Sequence, residues 1–452
     1  MLNRRRFLAS CGAAVATAAL FDRERAWAAQ RLPVDYTLEI APIKLELAPG
    51  KVIHTVAYNG SVPGPLLRLP EGTPVAIDVV NGTDTPEFVH WHGLHIPAEV
   101  DGAADEGTPP VPPRGRRRYV FTPRPAGSRW YHSHTFAGRD LNQSTYSGQF
   151  GFLLVESRGD PGRYDQELFL AMHDWDSYIT GGDDGFESVG YKYASINGRL
   201  LGFDDPIRVR AGERVLMHFL NASASEEHWL TLPGHRFTVI ALDGNAVPRP
   251  ASVDQLRLDP GERIDAIVEM NQPGIWTLGE PRDHMHHAGL GVVVEYAGRQ
   301  GPAQWIASDS LQWNYLDFGQ APPPAPADPT PEPIRLVFKS VFHGHGAFEG
   351  WSINGKSFPH TDIRYLKEGG RYRLLFDNRS AEDHPVHLHR HTFELASVAG
   401  VRTAGILKDV VVVQAQTVVE VDLTAANPGK SLFHCHLQDH MDAGFMMLFD
   451  YR

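Results

Sequence analysis

The chain reads as an all-β protein of three consecutive β-sandwich domains, and three observations predict this. The first is a pattern that recurs three times. Tyr58-Asn59-Gly60, Ile196-Asn197-Gly198 and Ile353-Asn354-Gly355 each open a segment with a turn dipeptide. Each segment passes a Gly turn (Glu71-Gly72, Ala211-Gly212, Glu368-Gly369) and enters an alternating strand ending in Asn: VAIDVVN to Asn81, RVLMHFLN to Asn221, RYRLLFDN to Asn378. The two Asn of each copy stand 22, 24 and 24 residues apart. The second observation is period-two apolar patterning rich in Val, Thr, Tyr and Phe, broken by turns at about ten-residue intervals, which suits sandwiches. The third is the abundance of Gly (43) and Pro (34), as many short strands and turns require.

At 452 residues the chain exceeds one ordinary core. The copies place the sandwiches at 29–158, 159–300 and 333–452. Residues 301–332 form a Pro-rich linker, with QAPPPAPADPTPEP (320–333) stiff and extended by composition, a strap from one domain to another.

Residues 1–28 read as an export signal. Arg4-Arg5-Arg6-Phe7-Leu8 matches the twin-arginine pattern, Ala9 to Leu20 is apolar, and Ala26-Trp27-Ala28 is a small-x-small cleavage site. The expected destination is a bacterial periplasm or the exterior, reached through the twin-arginine export machinery. No run approaches the ~18 apolar residues of a membrane span, so no membrane partner is expected. Removing the signal takes away five Arg and two acids from a chain of net charge −12, leaving about −15. That acidity argues against nucleic acid. A monomer is expected.

Only Cys11 and Cys435 are present, and Cys11 leaves with the signal. A lone cysteine in an exported protein cannot form an internal disulfide and is a reactive thiol or a ligand. Its surroundings favour the ligand. The first copy carries His90-Trp91-His92 and Trp130-Tyr131-His132-Ser133-His134. The third carries His384-Pro385-Val386-His387-Leu388-His389 and His434-Cys435-His436-Leu437-Gln438-Asp439-His440. The second copy has His228-Trp229-Leu230 and Gly279-Glu280-Pro281 at the matching places, a spacer domain without the paired ligands.

On a strand, residues i and i+2 face one way about 6–7 Å apart, so a His-x-His pair presents two imidazoles to one side. Four such pairs occur (90/92, 132/134, 387/389, 434/436), the last straddling Cys435. Eight imidazoles suit three borderline metal ions, and Cys435 with His384 and His440 supplies the His₂Cys set of a blue electron-transfer copper.

HWHG (90–93), WYHSH (130–134), HPVHLHRHTF (384–393) and HCHLQDHMDAGF (434–445) resemble the four copper motifs of multicopper oxidases, and the likeness covers essentially the whole mature chain. The resemblance implies cupredoxin-like Greek-key sandwiches and four copper ions: one type 1, one type 2 and two type 3. It places His90 and His387 on the type 2 copper. His92, His132, His134, His389, His434 and His436 fall on the type 3 pair, and His384, Cys435 and His440 on the type 1 copper. Asp101, in Val100-Asp101-Gly102, matches the family's acid near the oxygen-reducing cluster, with a turn Asp as the alternative. Phe445 stands at the type 1 axial position, where many bacterial members have Met; a shift of one residue would let Met446 serve instead.

Three further features depart from the pattern or extend it. Arg390 replaces a usual Gly and is expected beside the ligands or pointing to solvent. Gln438 and Met441 stand where relatives carry a proton-delivering Glu, with Asp439 and Asp442 nearby. Asp283-His284-Met285-His286-His287, in the second copy, is either an accessory metal or substrate site or a set of exposed loop histidines. The implied activity is one-electron oxidation of a donor coupled to four-electron reduction of O2 to water. Phenols and aromatic amines are the expected donors, since Cu(I) oxidation usually goes with a methionine-rich segment and the mature chain has only seven Met.

Overall fold

A computed structural model describes residues 32–157, 162–181, 187–322, 332–342 and 348–452. The expected export signal with Cys11, and most of the expected Pro-rich strap (323–331), lie outside the described residues.

The chain is all-β, as the three repeats predict. Each repeat folds as two stacked sheets. In the first sandwich, strands 51–58, 36–48, 75–81 and 116–121 form one sheet, and strands 67–70, 150–156, 127–133 and 89–92 the other. The second sandwich has a six-stranded sheet built around strands 166–175 and 214–221, and a five-stranded one containing 228–231 and 275–279. The third has a seven-stranded sheet built around 332–342 and 371–378. Its five-stranded partner runs 364–366, 446–451, 431–435, 384–388, 410–413.

The repeated Asn residues explain why the same fold recurs. Asn59, Asn197 and Asn354 sit at φ of +52°, +52° and +54°, a left-handed turn position that Asn tolerates. Each side chain closes the turn onto the preceding strand: Oδ1 accepts from Glu39, Ala171 or Val337 N, and Nδ2 donates to Thr37, Phe169 or Arg335 O. Asn81, Asn221 and Asn378 are buried at strand ends. Their Nδ2 groups donate to two backbone carbonyls each, one of them distant in sequence: Val111 O in a connecting loop, or Leu258 or Val413 O in the other sheet. A buried amide that satisfies the backbone in this way pins one sheet to the other.

The second and third sandwiches share one continuous apolar core, joined through Tyr315 and Phe318 of the linking segment. Ahead of the undescribed strap, Gln320 and Ala404 exchange backbone hydrogen bonds of 3.1 Å each, which ties the linker to the third sandwich.

Candidate metal centre

Two strand pairs bring the histidines to the interface between the first and third sandwiches. Val89–His92 pairs antiparallel with Gly127–Ser133, His90 opposite His132. His384–Leu388 pairs with Ser431–Cys435, His387 opposite His434. Alternation turns each His-x-His pair to one face, and the two faces interleave: His90 stacks on His389 and His92 on His387, each with ring centroids 3.8 Å apart.

The eight imidazoles divide into three groups. His90 and His387 point Nε2 at each other across 3.4 Å. His134, His389 and His434 have ring centroids 4.9–5.3 Å apart, with His389 and His434 Nε2 separated by 3.0 Å. His92, His132 and His436 have centroids 5.2–5.6 Å apart.

These contacts require cations. Nδ1 of His90, His387 and His434 lies against the carbonyls of Asp101, Asp409 and Cys435, so Nδ1 carries the proton. His389 Nδ1 likewise donates to the Asp101 carboxylate at 2.8 Å. The facing Nε2 atoms are therefore lone pairs with no hydrogen between them. Buried Nε2 of His132, His134 and His436, and Nδ1 of His92, have no partner at all. Burial, foremost, and the neighbouring imidazoles hold His92, His132, His387, His389, His434 and His436 well below the ordinary histidine range. Neutral imidazoles aimed into a closed space fit copper, whose ligands must be deprotonated.

A second group lies inside the third sandwich. Cys435 Sγ is 3.7 Å from His384 Nδ1 and 3.6 Å from His440 Nδ1, and the two nitrogens are 3.1 Å apart. All three are buried. Burial pushes the Cys435 thiol up, so metal binding here expels a proton. Phe445 is fully buried with its ring 4.7 Å from that of His384. Met446 is the register partner of His434, and paired residues share a face. Its side chain therefore lies on the face opposite Cys435.

Asp101 lies between the sandwiches. Its Oδ2 is 3.0 Å from His90 Nδ1 and 2.8 Å from His389 Nδ1. Burial pushes this carboxyl up, but the His90 imidazole beside it, with a bond from Glu106, holds it below its ordinary value. Glu106 goes the other way: burial and the Asp101 charge push it well up.

Several expectations change. Arg390 is buried at φ +64° and reaches neither solvent nor the imidazole space. Its guanidinium donates to the carbonyls of Ile96, Asn427, Pro428 and Lys430 and to Ser431 Oγ, tying the first sandwich to the third. Gln438 and Met441 line a small chamber beside His134, His434 and His436. Gln438 accepts from Ser144 and Thr145 and donates to Asp442 at 2.9 Å, so the carboxylate sits one residue behind the chamber wall. The Asp283–Ala288 helix disperses its candidates: Met285 enters the core, His286 stacks on Trp305 at 3.8 Å, and His287 bonds its own backbone.

Sequence reasoning missed Glu106, Asp409 and Arg263. Asp409 Oδ1 is 3.0 Å from His92 Nε2 and 2.6 Å from Arg263 Nη1. One signal was available: Lys408-Asp409 is a charged pair heading the all-Val strand 410–413, and charge at the mouth of a buried strand needs partners.

Comparison with known proteins agrees along the chain. Family models described as multicopper oxidase match residues 40–160, 186–289 and 329–452. Multicopper oxidase MmcO of Mycobacterium tuberculosis is 28% identical over 97% of this chain and 91% of its own length. Laccase-1 of Thanatephorus cucumeris is 25% identical over 92% of this chain and 90% of its own. The crystal structure of a multi-copper oxidase from Pseudomonas thermotolerans superposes with a TM-score of 0.73 at 27% identity, covering 93% of this chain and 100% of that one.

Proposed function

Because the chain belongs to the multicopper oxidase family, we propose that it is a laccase-type oxidase. It takes single electrons from phenols or aromatic amines at a type 1 copper and reduces O2 to water at a three-copper cluster, with four ions per chain. The observation that carries this reading is the placement of Cys435. It lies between His384 and His440 on one side and is covalently flanked by His434 and His436 of the eight-histidine cluster on the other. Copper in these positions supplies the electron storage that joins one-electron oxidations to a four-electron reduction. His384, Cys435 and His440 hold the blue site. His90 and His387 hold the type 2 ion, His92, His132 and His436 one type 3 ion, and His134, His389 and His434 the other.

The protein's own groups handle position and protons. Asp101 fixes the tautomers of His90 and His389 by accepting from His389 Nδ1 and lying against His90 Nδ1. Glu106, 3.4 Å from His389 Nδ1 and with its carboxyl pushed up by burial and Asp101, is the group suited to hold a proton beside the cluster. Phe445 keeps water from the blue site and offers no thioether.

Phenolic donors are favoured over Cu(I) by where the methionines are. Met172, Met217, Met270, Met285, Met441 and Met447 are all buried and Met446 is only partly exposed, so the described residues gather no cluster of surface thioethers for a soft cation. One contact favours cuprous oxidation as a second reading. Glu382, half-exposed, accepts from His440 Nε2 at 3.1 Å and puts a carboxylate at the outer edge of the blue site. Oxygen consumption with a phenol and with Cu(I), measured side by side, decides between them: faster turnover of Cu(I) overturns the laccase reading. Export by the twin-arginine route belongs to the same proposal and rests on Arg4-Arg5-Arg6. Replacing Arg4 and Arg5 with Lys and Gln should leave the enzyme in the cytoplasm.

A further inference from the structure

The middle sandwich supplies none of the eleven ligand residues, yet it reaches two of the three imidazoles around one metal position, His436 directly and His92 through Asp409. Arg263, from strand Arg263–Glu269, is fully buried and clamps Asp409 of the third sandwich with two bonds, Nη1–Oδ1 at 2.6 Å and Nη2–Oδ2 at 2.7 Å. Asp409 Oδ1 then accepts from His92 Nε2 at 3.0 Å.

That bond sets His92 apart. His90, His132, His387, His389 and His434 engage Nδ1 and present Nε2, whereas His92 engages Nε2 and presents an unpartnered Nδ1. The clamp is itself held by the middle sandwich. Arg263 donates to the Gly261 and Asp243 carbonyls at 3.0 and 3.2 Å, and Asp243 Oδ2 accepts from the backbone N–H of Asp409 and Val410 at 3.2 and 3.1 Å.

Two glycines show how close the fit is. A Cβ at Gly93, which ends the first motif at φ +85°, would lie 2.7 Å from Arg263 Nη2 and 2.8 Å from Asp409 Oδ2. A Cβ at Gly261, at φ +87°, would lie 2.8 Å from Cδ2 of His436.

We propose that Arg263 is a positioning residue for the metal position bounded by His92, His132 and His436. It orients Asp409, Asp409 selects the His92 tautomer that offers Nδ1, and the Gly261 turn is the wall on which His436 rests. This rests on the oxidase reading. The other type 3 position is supported differently, by Asp101 and Glu106 of the first sandwich through His389. The ligand-free domain therefore closes one half of the dinuclear pair.

Outer partners of this kind change metal affinity roughly 10- to 100-fold. Arg263→Lys keeps a charge but cannot grip both carboxylate oxygens, and Arg263→Met removes the clamp. His218→Gln is the control, altering the middle sandwich where it meets the first without touching Asp409. Copper per chain, the type 3 near-ultraviolet absorption relative to the blue thiolate absorption, and thermal stability are measured on the holoprotein. Arg263→Lys should lose about half of the near-ultraviolet band or more per blue copper and bind less copper, with the blue band per chain unchanged; His218→Gln should keep the wild-type ratio. An unchanged ratio in folded Arg263→Lys overturns the proposal, and so does an equal fractional loss of both bands. If Arg263→Met does not fold, the lysine variant decides. Absence of both bands from wild-type holoprotein would instead defeat the oxidase reading on which this one stands.

Discussion

Asp101 of the first sandwich and His389 of the third meet at 2.8 Å, and the same carboxylate oxygen lies 3.0 Å from His90 Nδ1. One oxygen thus orients an imidazole from each side of the domain interface. This excludes the turn-residue alternative as the whole account of Asp101, because its side chain is buried and engaged across the interface.

Asp101→Asn keeps the size but removes the charge that the two imidazole N–H groups and Glu106 are arranged around. Oxygen reduction should slow by roughly 10²-fold, the lower end of general acid–base effects. Reduction of the blue copper by donor under anaerobic conditions should be nearly unchanged. Stopped-flow measurement of the two half-reactions checks this; equal losses in both would mean that Asp101 only holds the fold.

Cys435→Ser should abolish the blue colour and donor oxidation while leaving the fold intact, because Cys435 makes no disulfide and Ser is close to Cys in shape and slightly smaller. Absorption and circular dichroism spectra suffice. A variant that stays blue removes Cys435 from the type 1 site.

Phe445→Met places a thioether against the group formed by Cys435 and His384. A weak axial sulfur favours Cu(II), so the type 1 potential should fall by on the order of 100 mV. For one electron that is about 2.3 kcal/mol of lost driving force, taking ~59 mV per tenfold change. Redox titration of both proteins is the check, and an unchanged or raised potential would show that the ring does not occupy the axial direction.

His218 gives a pH dependence away from the metal sites. Burial pushes its pKa down, but Asp265 at 2.8 Å and Glu167 at 3.4 Å raise it to about 9. A raised histidine pKa contributes stability that is complete below the unfolded value and disappears as pH rises through the folded one. Between pH ~6.5 and about 9 the holoprotein should therefore lose up to ~3 kcal/mol. His218→Gln should be less stable at pH 6 and flatter across that window. Thermal melts at four or five pH values test it, and a wild-type profile that is flat between pH 6.5 and 9 would refute the ion pair.

The sequence revealed the parts of this molecule that are local or periodic. The Asn turns repeat because each side chain bonds a backbone a fixed distance away, and the ligand pairs stand out because strand geometry forces a two-residue spacing. Phe445 was placed at the axial position by motif register alone. Arg390 defeated the same approach: its carbonyl partners lie 37 to 40 residues ahead and, at Ile96, 294 residues back. Asp409 meets His92 over 317 residues, and Arg263 meets Asp409 over 146. No period or spacing reports such meetings, since they are created by how sandwiches dock.

The division of ligands between the sandwiches has a further effect on the life of the molecule. His384, Cys435 and His440 all come from the third sandwich, so on the proposed reading the electron-accepting group is complete within that sandwich. It has no means of passing four electrons to oxygen, because half of the imidazoles that meet O2 come from residues 90–134. A nicked or half-folded chain would be a dead end for electrons. On the proposed reading, oxygen reduction begins only when the two ends of the polypeptide have found each other.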